Sequence, residues 1–146
     1  MQLFFQVLAA FIGTVAFSVL FQVPLRQWYV CGAGGAIGWF IYLKLEFISP
    51  AMACFVATLV ISLFARIFAI IRKVPSNVFL LSGIFPILPG IGIYNTIYSI
   101  LTRGNDSLDL AYRTLSQVGA IVLAIIIVFS LPIKKISLRK KGRSDQ

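Results

Sequence analysis

Five stretches without a charged residue divide the chain: 2 to 25, 27 to 43, 47 to 65, 78 to 101 and 114 to 133. All but the second are about as long as a helix that crosses a bilayer, which needs roughly 20 mostly apolar residues. The second, WYVCGAGGAIGWFIYL from Trp28, is shorter and spans if its ends snorkel. A soluble domain spends about 25% of its residues on charge. Here 12% of 146 residues are charged, 60% are hydrophobic, and the mean hydropathy is +0.98. No polar face elsewhere in the chain would cover these helices in water. The reading is an all-α, polytopic helical membrane protein embedded in the lipid bilayer. It has about five transmembrane helices, at 3–25, 28–43, 48–71, 78–101 and 114–133, followed by a basic tail over 134–146.

The net charge of +9 does not point to nucleic acid, because six of the thirteen basic residues sit in KKISLRKKGR, from Lys134 to Arg143, directly after an apolar span. Such a cluster reads as a cytoplasmic topology signal touching anionic lipid. With the tail inside and five crossings, Arg26, Arg66, Arg72 and Lys73 join those six inside, while Lys44, Arg103 and Arg113 lie outside, ten against three. If 78–101 were instead a re-entrant hairpin, the split would be seven against six, which is no bias. Five crossings with the N-terminus outside and the C-terminus cytoplasmic are therefore expected.

The first stretch lacks a basic region before its apolar core and a cleavage site, so it is expected to stay as a helix rather than act as a secretory signal. Cys31 and Cys54 fall inside spans, and with no C-x-x-C and no His they read as small core hydrophobes, with no metal or cofactor implied. The only acids are Glu46, Asp106, Asp109 and Asp145, all in loops or the tail, so a nucleophile has no base beside it and catalysis is not expected. The longest polar loop, 102–109, carries a Gly104-Asn105 turn signal and Asp106 or Ser107 as an N-cap.

Small residues four apart mark the second span: Gly34 with Gly38, Cys31 with Gly35, and Gly32 with Ala36. Lipid supplies no hydrophobic force between helices, so close backbone approach at such residues favours packing; a glycine-lined pore wall is the alternative. A weaker series, Ala9, Gly13 and Phe17, is read as packing in the first span. Arg66 is the one charge well inside an apolar run, where it costs about 3 kcal/mol or more at the bilayer centre. Its stem is expected to snorkel toward the end that holds Arg72 and Lys73.

The fourth stretch contains GIFPILPGIGIYNTI, residues 83 to 97. Pro86 and Pro89 each remove a helical hydrogen bond and clash with the preceding turn, and Gly90 and Gly92 loosen the backbone between half-helices expected at about 78–87 and 91–101. Freed backbone groups persist in a membrane only where protein or a water-filled cavity covers them. Transporters use such breaks to aim the amides of the second half-helix at an anionic group. Gly90 and Gly92 would admit a carboxylate, with Tyr94, Asn95 and Tyr98 binding from the following turns. A proline kink that serves packing alone reads equally well from these residues.

IFPILPGIGIYNTI resembles the P-x-x-P-G-x-x-x-Y signature of the threonine/serine exporter family, and VPLRQWYVCGAGGAIGWF is similar to that family's V-P-x-R followed by a glycine-rich helix. The order of spans and the basic tail resemble the small subunit of its two-gene form. The resemblance covers essentially the whole chain and maps the signature onto Pro86, Pro89, Gly90 and Tyr94. It implies an inner-membrane exporter of threonine and serine, or of dicarboxylates such as succinate in related two-gene systems. It also implies a chain like the C-terminal half of single-chain members, working with a larger membrane subunit. A proton gradient would drive export, though no Asp, Glu or His within a span offers the coupling group. The alternative is a non-transporting scaffold or assembly subunit.

Overall fold

The computed structural model describes residues 1–102 and 107–131. The expected turn at Gly104-Asn105, the Asp106 cap, Arg103, the last two residues of the fifth span and the whole basic tail lie outside the described residues. Six α-helices follow in order: α1 Gln2–Leu20, α2 Trp28–Leu45, α3 Pro50–Arg72, α4 Ser76–Ile84, α5 Gly90–Leu101 and α6 Ser107–Ser130. Three-residue 3-10 turns at Leu25–Gln27 and Phe85–Ile87 precede α2 and follow α4, and no strand occurs among the described residues.

Two helix ends use the same local grammar. α1 stops because Gln22 takes a left-handed φ of 54°, with the Gln22 amide on the Val19 carbonyl and the Val23 amide on the Ser18 carbonyl. That pair of bonds closes a Schellman motif. Lys73 does the same after α3, with a φ of 55° and the Val74 amide on the Ala69 carbonyl. In each case a valine turned toward the core and then a proline follow, as QVP and KVP. Proline cannot extend the finished helix but suits the start of the next element. The helix of the first span therefore ends at Leu20 rather than near 25.

α2 sits at the centre, packed on α1, α3 and α4, while α6 lies along the other side of α3 and α5 packs on α6. The glycines of α2 are where its neighbours enter. Gly32 faces Phe11 and Val15, Gly34 faces Phe64, Gly35 faces Thr14, and Gly38 faces Ile61 and Ile87. A Cβ at Gly32 would lie 2.7 Å from the Phe11 ring, so the helices could not keep this separation with larger residues there. In α1 the buried stripe is Ala10, Thr14 and Ser18, whereas a Cβ on Gly13 would meet nothing within 4 Å. The expected Ala9, Gly13, Phe17 seam is thus displaced by one residue. The reason is polar: Thr14 donates to the Ala10 carbonyl at 2.7 Å and Ser18 to the Thr14 carbonyl at 2.8 Å, so both hydroxyls are satisfied within α1 and can be buried.

α1, α3 and α6 are each long and apolar enough to cross a membrane, and α4 with α5 makes a fourth if the bent pair is one span. α2, with four glycines, two tryptophans, two tyrosines and Lys44 in 18 residues, is not among them. The protein is a multi-pass, all-α membrane protein. α6 begins at Ser107, seven residues before the expected fifth span, because Asp109 and Arg113 pair at 2.9 Å on successive turns and sit within the helix rather than ahead of it.

Candidate functional site

The broken segment has one anchored half and one open half. Phe85 stacks on Phe17 of α1 with ring centroids 3.8 Å apart and lies 5.6 Å from the Phe21 ring. Ile87 is buried against Gly38 of α2. Pro86, half-buried between these anchors, borders a shallow hollow of about 190 Å³ with Gln6, Ala9, Ala10 and Trp39. Aromatic stacking and burial therefore fix the backbone of α4 up to residue 87.

The turn itself satisfies part of what the prolines free. The Leu88 amide donates to the Phe85 carbonyl at 3.3 Å and closes the 3-10 turn. Pro89 then adopts φ −77° and ψ 59°, and the Gly90 amide donates to the Leu88 carbonyl at 2.8 Å. Those angles and that bond define an inverse γ-turn centred on Pro89. α5 starts with the Ile93 amide on the Pro89 carbonyl at 3.0 Å, which leaves the Ile91 and Gly92 amides without a backbone acceptor. The axis bends by 54° across the break.

Beyond the bend α5 has two different faces, and it buries no residue completely. Gly92 and Thr96 face α6: Thr96 donates to the Gly92 carbonyl at 2.7 Å and shares a hydrogen bond of 3.2 Å with Thr114. A Cβ on Gly92 would come 2.9 Å from Thr114 Oγ1. Gly90, Tyr94 and Tyr98, each four residues apart, lie on the opposite side with Asn95 next to them, and all four are exposed. The Tyr94 and Tyr98 rings are stacked with centroids 6.2 Å apart. A Cβ on Gly90 would meet nothing within 4 Å. The seven residues singled out from the sequence are therefore divided: Gly90, Tyr94, Asn95 and Tyr98 share an open face, Pro86 and Pro89 shape the backbone leading to it, and Gly92 packs against α6.

The model of one protein family, described as Threonine/Serine exporter, ThrE, matches residues 6–131. The chain belongs to this family. The match takes in α1 from residue 6, the other five helices and the whole of the broken segment. No curated protein and no solved structure matches the chain.

Elsewhere in this exporter-family chain, the structure gives Arg66 a partner that the sequence does not announce. Its guanidinium donates to the Val128 carbonyl and lies 5.4 Å from the centroid of the Phe129 ring. Val128 is in the last turn of α6, where carbonyls lack helical donors and the helix dipole is negative. Arg66 thus caps α6, a role beyond the snorkelling expected of it. The only sequence signal for this contact would have been the placement of both ends on one side of the membrane. Among the described residues the buried polar atoms Gln27 Oε1, Thr58 Oγ1 and Ser62 Oγ have no hydrogen-bond partner. No group of three or more His, Cys, Asp or Glu side chains that could hold a metal occurs among the described residues.

Proposed function

We propose that this chain is one subunit of a secondary transporter that exports threonine and serine, or dicarboxylates such as succinate, across the inner membrane together with a larger membrane subunit. Membership of the exporter family supports the transport class. The observation that carries the site is the open face of α5 directly beyond the 54° bend, with two free amides at Ile91 and Gly92 and the polar groups of Tyr94, Asn95 and Tyr98 beside them. Hydrocarbon cannot satisfy amides and an exposed Asn, so a polar surface or an aqueous path has to lie against them. A larger partner subunit facing α5 would supply the other wall, and a carboxylate-bearing substrate would use the amides as donors.

The direction of the chain agrees with a full crossing at 78–101. α3 and α6 run parallel: Ala51 and Ser116 border one cavity near their starts, and Arg66 reaches Val128 near their ends. Two parallel helices that both span need one crossing between them, whereas a hairpin would make them antiparallel. With α4 and the 3-10 turn that follows it along the membrane normal, their rise plus the tilted rise of α5 comes to about 30 Å, the thickness of the hydrocarbon core. With that crossing, the positive-inside count supports an N-terminus outside and a cytoplasmic tail.

The Gly92 to Thr114 contact favours a second reading, in which the break serves packing and the chain only assembles or stabilises its partner. Efflux of labelled threonine, serine and succinate separates them, measured in cells expressing this chain alone, the larger subunit alone, or both. Export only with both chains is expected. Full export by the larger subunit alone would leave this chain as a scaffold, and full export by this chain alone would remove the need for a partner.

A further inference from the structure

A groove between α3 and α6, away from the broken segment, changes character along its length. Between the start of α3 and the second and third turns of α6 it forms a cavity of about 420 Å³ bordered by Ser49, Tyr112, Arg113, Ser116 and Gln117. It shares Ala51 and Ser116 with a second hollow of about 400 Å³ that continues between Met52, Phe55, Gly119, Ala120 and Leu123. The first part mixes hydroxyls, an amide and a guanidinium with the hydrocarbon of Pro50 and Ala51, and the second is lined almost wholly by hydrocarbon. Leu123 lies seven residues beyond Ser116 on α6, about 10 Å deeper at helical rise.

The polar end has donors to spare. Arg113 gives its Nε to Asp109 at 2.9 Å, its one ion pair among the described residues. Ser49 precedes α3 without a side-chain cap bond, so its hydroxyl is uncommitted. Ser116 donates to the Tyr112 carbonyl at 2.7 Å and can only accept. The apolar end is open because Gly119 leaves a gap: a Cβ there would meet nothing within 4 Å. A free metabolite anion would use the polar end and leave the trench empty, and an apolar helix would use the trench and strand the guanidinium. A phospholipid matches both, because an arginine in the first two turns of α6 meets its phosphate while a trench running toward the bilayer centre takes its chain.

We propose that this groove holds one phospholipid of the surrounding leaflet, with its phosphate at Arg113 and one acyl chain along Gly119. Native mass spectrometry of the full chain released from detergent tests it. The probes are a diacyl phosphatidylglycerol, glycerophosphoglycerol, which has the same headgroup without chains, and a diacylglycerol, which has the chains without phosphate. Phosphatidylglycerol is expected to be retained and the other two are not. Arg113→Gln should weaken its retention roughly tenfold, as for loss of a charge-assisted hydrogen bond. Gly119→Leu, whose Cβ meets nothing within 4 Å and whose side chain takes up trench space, should weaken it similarly, and Arg72→Gln at the far end of α3 should not change it. Equal retention in Arg113→Gln and Gly119→Leu, or equal retention of glycerophosphoglycerol, would overturn the proposal. So would disulfide-linked dimers of Gly119→Cys in membranes, which would mean that a second copy covers the groove.

Discussion

Arg66, six residues before the end of α3, donates a hydrogen bond to the carbonyl of Val128, two residues before the end of α6. The contact aligns two helices in the same direction although only the bent pair α4 and α5 separates them in sequence. Single cysteines report the consequence. Thr102→Cys should react with a membrane-impermeant maleimide from the same side as Phe47→Cys, and from the side opposite to Lys73→Cys. Thr102 and Lys73 reacting from one side would make the bent pair re-entrant.

The same bond has a stability consequence. Replacing Arg66 by Gln removes the charge from the negative end of α6 and leaves the Val128 carbonyl without its guanidinium donor. A loss of about 1 to 2 kcal/mol is expected. Arg66→Glu, which puts an anion there, should lose more. Unfolding in mixed micelles of sodium dodecyl sulfate and dodecyl maltoside measures both, and an unchanged midpoint for Arg66→Glu would remove the capping role.

Gly92 and Gly90 should behave oppositely although they are two residues apart. A side chain at Gly92 runs into Thr114 and displaces its bond with Thr96, so Gly92→Val is expected to loosen α5 from α6 at a cost of about 1 to 3 kcal/mol. A side chain at Gly90 has open space. A disulfide between Thr96→Cys and Thr114→Cys should form readily in the parent chain and in Gly90→Leu, and poorly in Gly92→Val.

What the sequence could and could not show follows from the range of each interaction. Pro86, Pro89 and Gly90 act on their own backbone, so the break was legible at nearly the correct residues. The spacing of Gly34, Gly35 and Gly38 is likewise local, and α2 does meet its neighbours there. Gly92 was grouped with Gly90 because both loosen a helix; only Thr114, on another helix, separates them. Asp109 and Arg113 suggested a loop because charges usually mark one, yet at i and i+4 they also support a helical turn. The end of α1 was misplaced because a left-handed cap normally declares itself through Gly or Asn, and here Gln22 takes that conformation.

That last feature can be measured. A left-handed backbone costs a non-glycine residue about 1 kcal/mol. Gln22→Gly is therefore expected to raise stability by about 0.5 to 1 kcal/mol, and the β-branched Gln22→Val to lower it. Equal unfolding midpoints for the three proteins would contradict the Schellman geometry at Val19 to Val23.

The central claim is that the open face of α5 beyond Gly90 borders the substrate path. Gly90→Leu tests it most directly, because a Cβ at this position meets no part of this chain within 4 Å. Efflux of labelled threonine, serine and succinate is measured from cells expressing the variant with the larger subunit, alongside co-purification of the two chains. Export is expected to be lost while the chains still co-purify. Undiminished export, or loss of export only together with loss of the complex, would contradict it.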